Sequence, residues 1–124
     1  MVPLISLCTL YIAFVLKHFI ADYLLQTQRI AEAKANGSVP LVLLHASGHG
    51  LGTLIITLWV APKFWWLALV DIGVHLLIDL GKSALNRRLS LTPSNTPFWW
   101  LLGADQALHQ LTHFVLIVII VSHI

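Results

Sequence analysis

Cys8 is the only cysteine in the chain, so no internal disulfide can form and cysteine usage says nothing about redox compartment. Charge is scarce too. Charged residues make up 10 % of the 124 positions and hydrophobic residues 58 %, with a mean hydropathy of +0.87. That balance excludes disorder and is hard to reconcile with a water-soluble globule. The formal net charge of +2, and the lack of a basic run longer than Arg87-Arg88, exclude nucleic acid as an expected partner. The opening stretch MVPLISLCTLYIAFVL lacks a positive n-region and a small-residue cleavage site. It is expected to be the first half of a retained transmembrane helix.

What the chain has in abundance is apolar length. Four segments stand out, at residues 3–29, 39–61, 64–87 and 97–123. Each is long enough to cross a hydrocarbon core about 30 Å thick. Backbone satisfaction in lipid then predicts an all-α fold, a four-helix transmembrane bundle forming one domain over residues 1–124. KANGSVP and APKF read as turns, and NRRLSLTPSNTP is the longest polar connection, with Ser94 or Thr96 expected to cap the last helix. Arg29, Lys34, Lys82, Arg87 and Arg88 fall on one side, and only Lys63 on the other. The positive-inside rule therefore predicts a multi-pass membrane protein with the first and third connections in the cytoplasm and both termini outside. Trp59, Trp65 and Trp66 are expected at the outer interface, Trp99 and Trp100 at the inner one.

The few polar residues inside these segments share one spacing. His18/Asp22, Asp71/His75, His75/Asp79 and Asp105/His109 are each four residues apart, as are His45/His49. In a helix such pairs lie on one face, one turn apart. Counted from the cytoplasmic ends just assigned, His18, Asp22, His45, His49, His75, Asp79, Asp105 and His109 lie roughly 9–18 Å deep, in a common slab. An isolated carboxylate in hydrocarbon costs several kcal/mol, so these groups are expected to face each other, water or a metal. HFIAD and HLLID also repeat H-x-x-x-D at an interval of 57 residues. The repeat suggests two similar hairpins related by a pseudo-twofold axis.

Imidazole with carboxylate suits a divalent transition metal. Zinc is the leading expectation, with manganese or iron next, as one or two ions. Gln26, Asp71, Lys82, Gln106 and His113 are placed in an outer ring, as partners of the ligands or of substrate. Lys17 is expected to pair with Asp71. A metal near an open coordination position brings bound water to a pKa of about 7, which points to hydrolysis of a lipid-borne or membrane-associated substrate. Two other readings stay open: a metal-ion or proton transporter, and a metal-free scaffold or partner subunit. Besides membrane lipids, a second copy of the chain is a plausible partner.

HFIADYLLQT, LLHASGHG, HLLIDLGK and DQALH, in that order, resemble the motifs of the DUF3307 family. These are small bacterial and phage-associated multi-pass membrane proteins of unknown function. The resemblance picks out His18, Asp22, Gln26, His45, His49, His75, Asp79, Lys82, Asp105, Gln106 and His109. Lys17, Asp71 and His113 lie outside the matching blocks. The family is similar in style to small membrane-bound proteins taken to be metal-dependent hydrolases, which implies hydrolase chemistry and leaves the substrate open.

Overall fold

The computed structural model describes residues 4–124, with side chains from Ser6 onward; the expected start of the first span at Pro3 lies outside the described residues. Among the described residues the fold is an all-α bundle. Helix α1 spans Leu4–Phe19 and runs on into a π-helical turn, Ile20–Leu24. A short helix α2 (Gln28–Asn36) follows. Helix α3 is Val39–Val60, and a 3₁₀ turn at Pro62–Phe64 leads into α4 (Leu67–Arg88). Helix α5 is Thr96–Val121. The stretches Ser6–Leu24, Val39–Val60, Pro62–Arg88 and Thr96–Val121 are each long and apolar enough to cross a membrane.

The first span ends earlier than expected. Leu25 closes the π-helical turn by bonding to Ile20 O, and the chain then breaks away from the axis. Arg29 lies on α2, beyond the span. Thr27 caps α2 by accepting from Ile30 N at 3.2 Å. Gly37 ends it at φ 71°, the left-handed conformation that favours glycine. A side chain there would also collide with the Arg87 guanidinium, whose Nη1 donates to Ala35 O at 3.0 Å and docks α2 on the end of α4. The cap of α5 differs as well. Asn95 takes the cap position, Thr96 is the first helical residue, and the Ser94 hydroxyl bonds to Thr92. Pro40 and Pro97 sit in the first turns of α3 and α5, where a missing N–H costs nothing.

Helices α3 and α4 pack most closely. Gly50 permits it, because a Cβ at that position would overlap the Ile72 side chain. Outward faces carry large apolar residues such as Leu44, Ile55, Leu77 and Phe114, as a lipid-facing exterior requires. The five tryptophans are all exposed and lie toward the two ends of the bundle.

The interior is stratified. At one end Leu10, Phe14, Ile56, Phe64, Leu67, Leu116, Ile117 and Ile120 form a dry plug. One layer further in, Lys17 Nζ lies 2.6 Å from Asp71 Oδ2 and donates to Thr53 Oγ1 at 3.0 Å; the Thr53 hydroxyl donates to the same Asp71 oxygen at 2.5 Å. Beyond that come the histidines and remaining aspartates. Helix α2 and the α4–α5 connection close the far, basic end. The i, i+4 row Leu67, Asp71, His75, Asp79, Ser83 on α4 passes through every layer and is buried throughout.

Lys17 and Asp71 would each cost about 2.5–3.5 kcal/mol alone at the centre of a membrane helix. Lys17→Met, which strands Asp71, is expected to lower stability by about 3–5 kcal/mol. Lys17→Met/Asp71→Leu should recover most of that loss. Denaturant titration of the protein in micelles checks both; equal loss in the single and double variants would mean that the pair does not hold this layer together.

Candidate metal centre

Asp22 and Asp79 each gather imidazoles from their own helix and from a neighbour. Asp22 sits on the π-helical turn, whose widened backbone is a common feature of functional sites. Its Oδ1 accepts from His49 Nε2 at 2.7 Å and lies 3.0 Å from His45 Nε2, both on α3. Its Oδ2 lies 3.1 Å from His18 Nε2. Asp79, wholly buried on α4, accepts at Oδ1 from His109 Nε2 of α5 at 3.3 Å. Its Oδ2 lies 3.4 Å from His75 Nε2, 3.2 Å from Lys34 Nζ and 3.9 Å from His45 Nε2.

His75 joins the two halves. Its ring stacks on His49 at 3.8 Å between centroids and on His109 at 4.1 Å. Two overlapping groups result: Asp22, His45, His49 and His75; and His75, Asp79 and His109. Within each, one ligand atom per residue lies within 4.8 Å of every other. Tetrahedral zinc, with bonds of about 2.0–2.2 Å, spaces its ligand atoms about 3.3–3.5 Å apart. The contacts above scatter around that spacing.

The donor chemistry fits a cation. His45 Nε2 and both His75 nitrogens are buried and make no hydrogen bond. Orphaned atoms of this kind ask for a partner, and lone pairs converging on one point would be satisfied by an ion. The first group supplies four donors, enough to close a tetrahedron. The second, which shares His75 with the first, supplies three when His75 serves it, the number that catalytic zinc uses beside an open position. These buried groups could therefore hold a metal ion.

The other expected residues surround this centre. His18 touches Asp22 and donates to Gln106 Oε1 at 3.3 Å. Asp105 lies 3.5 Å from His109, accepts from Gln106 Nε2 at 3.0 Å, and takes Lys82 Nζ at 3.4 Å. Both belong to the rim; neither is a member of the two groups. Gln26 reaches the centre only through Lys34, which donates to its Oε1 at 3.3 Å. Asp71 belongs to the Lys17 layer. His113 packs against Phe14 and His18, with neither ring nitrogen hydrogen-bonded. Ser47, on the same helix as His45 and His49, donates to Leu43 O at 2.8 Å.

Two residues escaped the sequence reading of the site. Lys34 comes from α2, whose boundaries were written in Thr27 and Gly37. Ser83 extends the α4 polar row by one turn and lines a cavity with Lys34 and Lys82.

Because His75 belongs to both groups, His75→Ala leaves three donors in one and two in the other, and is expected to weaken zinc uptake by chelator-treated protein by more than the about 10–100-fold that losing a supporting partner costs. Asp105→Asn, acting through His109, should weaken it about 10–100-fold. Trp99→Phe should leave it unchanged. Zinc titration with elemental analysis reads all three.

No curated protein and no solved structure matches the chain. Residues 10–124 match the family described as Protein of unknown function (DUF3307), a span that contains the whole centre, three of the four helices long enough to cross a membrane, and all but the first turn of the other. The chain therefore belongs to the DUF3307 family.

Proposed function

We propose that this protein is a membrane-embedded metal-dependent hydrolase acting on a lipid-borne or membrane-associated substrate. The observation that carries the reading is the pair of His/Asp groups sharing His75, one complete and one a donor short. Zinc is the metal best matched to three or four imidazole and carboxylate donors, and it would supply a hydroxide nucleophile near neutral pH. Asp22, His45, His49, His75, Asp79 and His109 are the proposed ligands. His18 and Asp105 flank them, within reach to accept a proton from bound water. Gln106 orients both, being bonded to each.

Transport is less well supported. A pathway needs polar groups along its length. Here the Lys17–Asp71 pair and the apolar plug behind it fill the interior on one side of the centre. Access is left at the basic end. By the positive-inside rule that end faces the cytoplasm, with both termini outside a bacterial inner membrane.

The test is full-length protein reconstituted in vesicles with stoichiometric zinc. Hydrolysis of membrane-borne esters, lost on chelation and restored by zinc, is the expected result. His109→Ala should lower the rate about 10²-fold or more, as losing one of three ligands implies. Zinc flux into sealed vesicles without turnover would overturn the proposal in favour of transport. A stably folded protein that takes up no metal would overturn it in favour of a scaffold whose polar layer fixes helix register.

A further inference from the structure

At the basic end a cavity of about 460 Å³ opens between α2, the end of α4 and the α4–α5 connection. Lys34, Lys82 and Arg87 stand on its wall, and among the described residues no carboxylate lines it. Two of these cations reach from the cavity into the centre. Lys34 Nζ is 3.2 Å from Asp79 and Lys82 Nζ 3.4 Å from Asp105, while their side chains stay 15 % and 19 % exposed. An ammonium has three donors; Lys34, which also donates to Gln26, keeps one for a second anion, and Lys82 keeps two. Arg87 uses Nη1 on Ala35 O, and the rest of its five-donor fork is free. Three cations at the mouth of a metal centre form a receptor for a multiply charged oxyanion, and phosphate matches both lysine and arginine geometry.

A second cavity of about 360 Å³ runs between α4 and α5. Leu77, Leu85, Leu101 and Leu108 line it, and Lys82 and Asp105 stand at its edge. Lys82 is thus common to the cationic cavity and the apolar groove. The groove lies on the lipid-facing side of the bundle, where a hydrocarbon chain is already at hand.

We propose that the substrate is a lipid carrying a phosphate ester head, with the phosphoryl group held by Lys34, Lys82 and Arg87 and a hydrocarbon chain laid in the α4–α5 groove. This names the substrate of the hydrolase reading and rests on it for the chemistry, though not for the binding. In the reaction a water oxygen bonds to phosphorus and the bond from phosphorus to the lipid oxygen breaks. The proton lost by the water ends on the lipid alcohol, leaving that alcohol and inorganic phosphate. The lysines and arginine offset the charge that builds on the phosphoryl oxygens.

The experiment uses full-length protein in micelles, treated with chelator so that the metal plays no part in the binding. Fluorescent phosphatidate is competed with unlabelled dioleoyl phosphatidate, with dioleoylglycerol (same chains, no phosphate) and with glycerol 3-phosphate (same head, no chains). Phosphatidate should compete at least about tenfold better than either fragment, the equivalent of one charge-assisted hydrogen bond. Lys34→Gln and Lys82→Gln also strand buried carboxylates, so Arg87→Gln, which strands none and gives up only the Nη1 bond to Ala35 O, is the cleaner charge variant; it should weaken phosphatidate about tenfold. Gly81→Leu is the groove variant. Gly81 lines the groove and a Cβ added there meets nothing within 4 Å, so the new side chain starts in open space on the groove wall. It should weaken phosphatidate by a similar factor, whereas Gly103→Leu, equally open but outside the groove, should not. Equal competition by dioleoylglycerol, or by glycerol 3-phosphate, overturns the proposal, as does indifference to Gly81→Leu. Phosphatidate that binds as described and is not cleaved by the zinc-loaded protein sinks the hydrolase reading alone. Zinc-dependent cleavage of other esters with no preference for phosphatidate sinks the substrate assignment alone.

Discussion

Water is absent from the middle of a bilayer, and every polar group placed there must be answered by another side chain. In this protein that demand organises the whole interior. Asp71 is met by Lys17 and Thr53, Asp22 by three imidazoles, Asp79 by two imidazoles and Lys34, and Asp105 by His109, Gln106 and Lys82. Each of these carboxylates has at least one partner on another helix. Removing a helix would therefore strand charge in a low-dielectric interior, a penalty far above that of losing apolar contact with lipid-like neighbours. The bundle holds its register through these polar layers, and its dry end is filled simply to density.

The same accounting explains why the centre is suited to an ion. Imidazoles outnumber what two carboxylates can saturate through good hydrogen bonds, so several ring nitrogens converge on Asp22 and Asp79 without donating to them. A scaffold needing only hydrogen bonds would have little reason for a ring sandwiched between two others, with neither of its nitrogens hydrogen-bonded. Metal coordination rewards that density of lone pairs. The asymmetry between a four-donor group and a three-donor group then follows from α3 supplying two rings and α5 only one.

Much of this could be read from spacing. Four-residue intervals on each long helix put His18 with Asp22, His75 with Asp79 and Asp105 with His109 on single faces, and the loop lysines and arginines brought those faces to a common depth. The Lys17–Asp71 partnership could be read the same way, as a cation and a carboxylate left over at one level. Which ring meets which oxygen could not be read. That depends on interhelical rotation and offset, to which periodicity along one helix is blind. Thus His18 and Asp105 lie at the rim and His75 at the junction, though all three carry the same pattern. The π-helical turn beneath Asp22 has no compositional signature. Helix α2 was hidden because it is short and its apolar face is slight: Thr27, its first cap, was read into the first span, and Gly37, its last, passed as a turn residue. With α2 went Lys34, whose long stem lets a residue outside the hydrocarbon reach Asp79 inside it.

The Lys17–Asp71 pair also bears on how the chain is put together. The two residues are 54 positions apart, on α1 and α4. Synthesis delivers the lysine first, and its counter-charge arrives only after the intervening hairpin has been made. Until then α1 carries an unanswered ammonium close to the membrane midplane, a poor candidate for release into lipid as a lone helix. Biogenesis should therefore keep α1 beside the insertion machinery, or beside Thr53 and the α3 histidines, until α4 emerges, so that the polar interior assembles from captive helices and is not searched for among free ones.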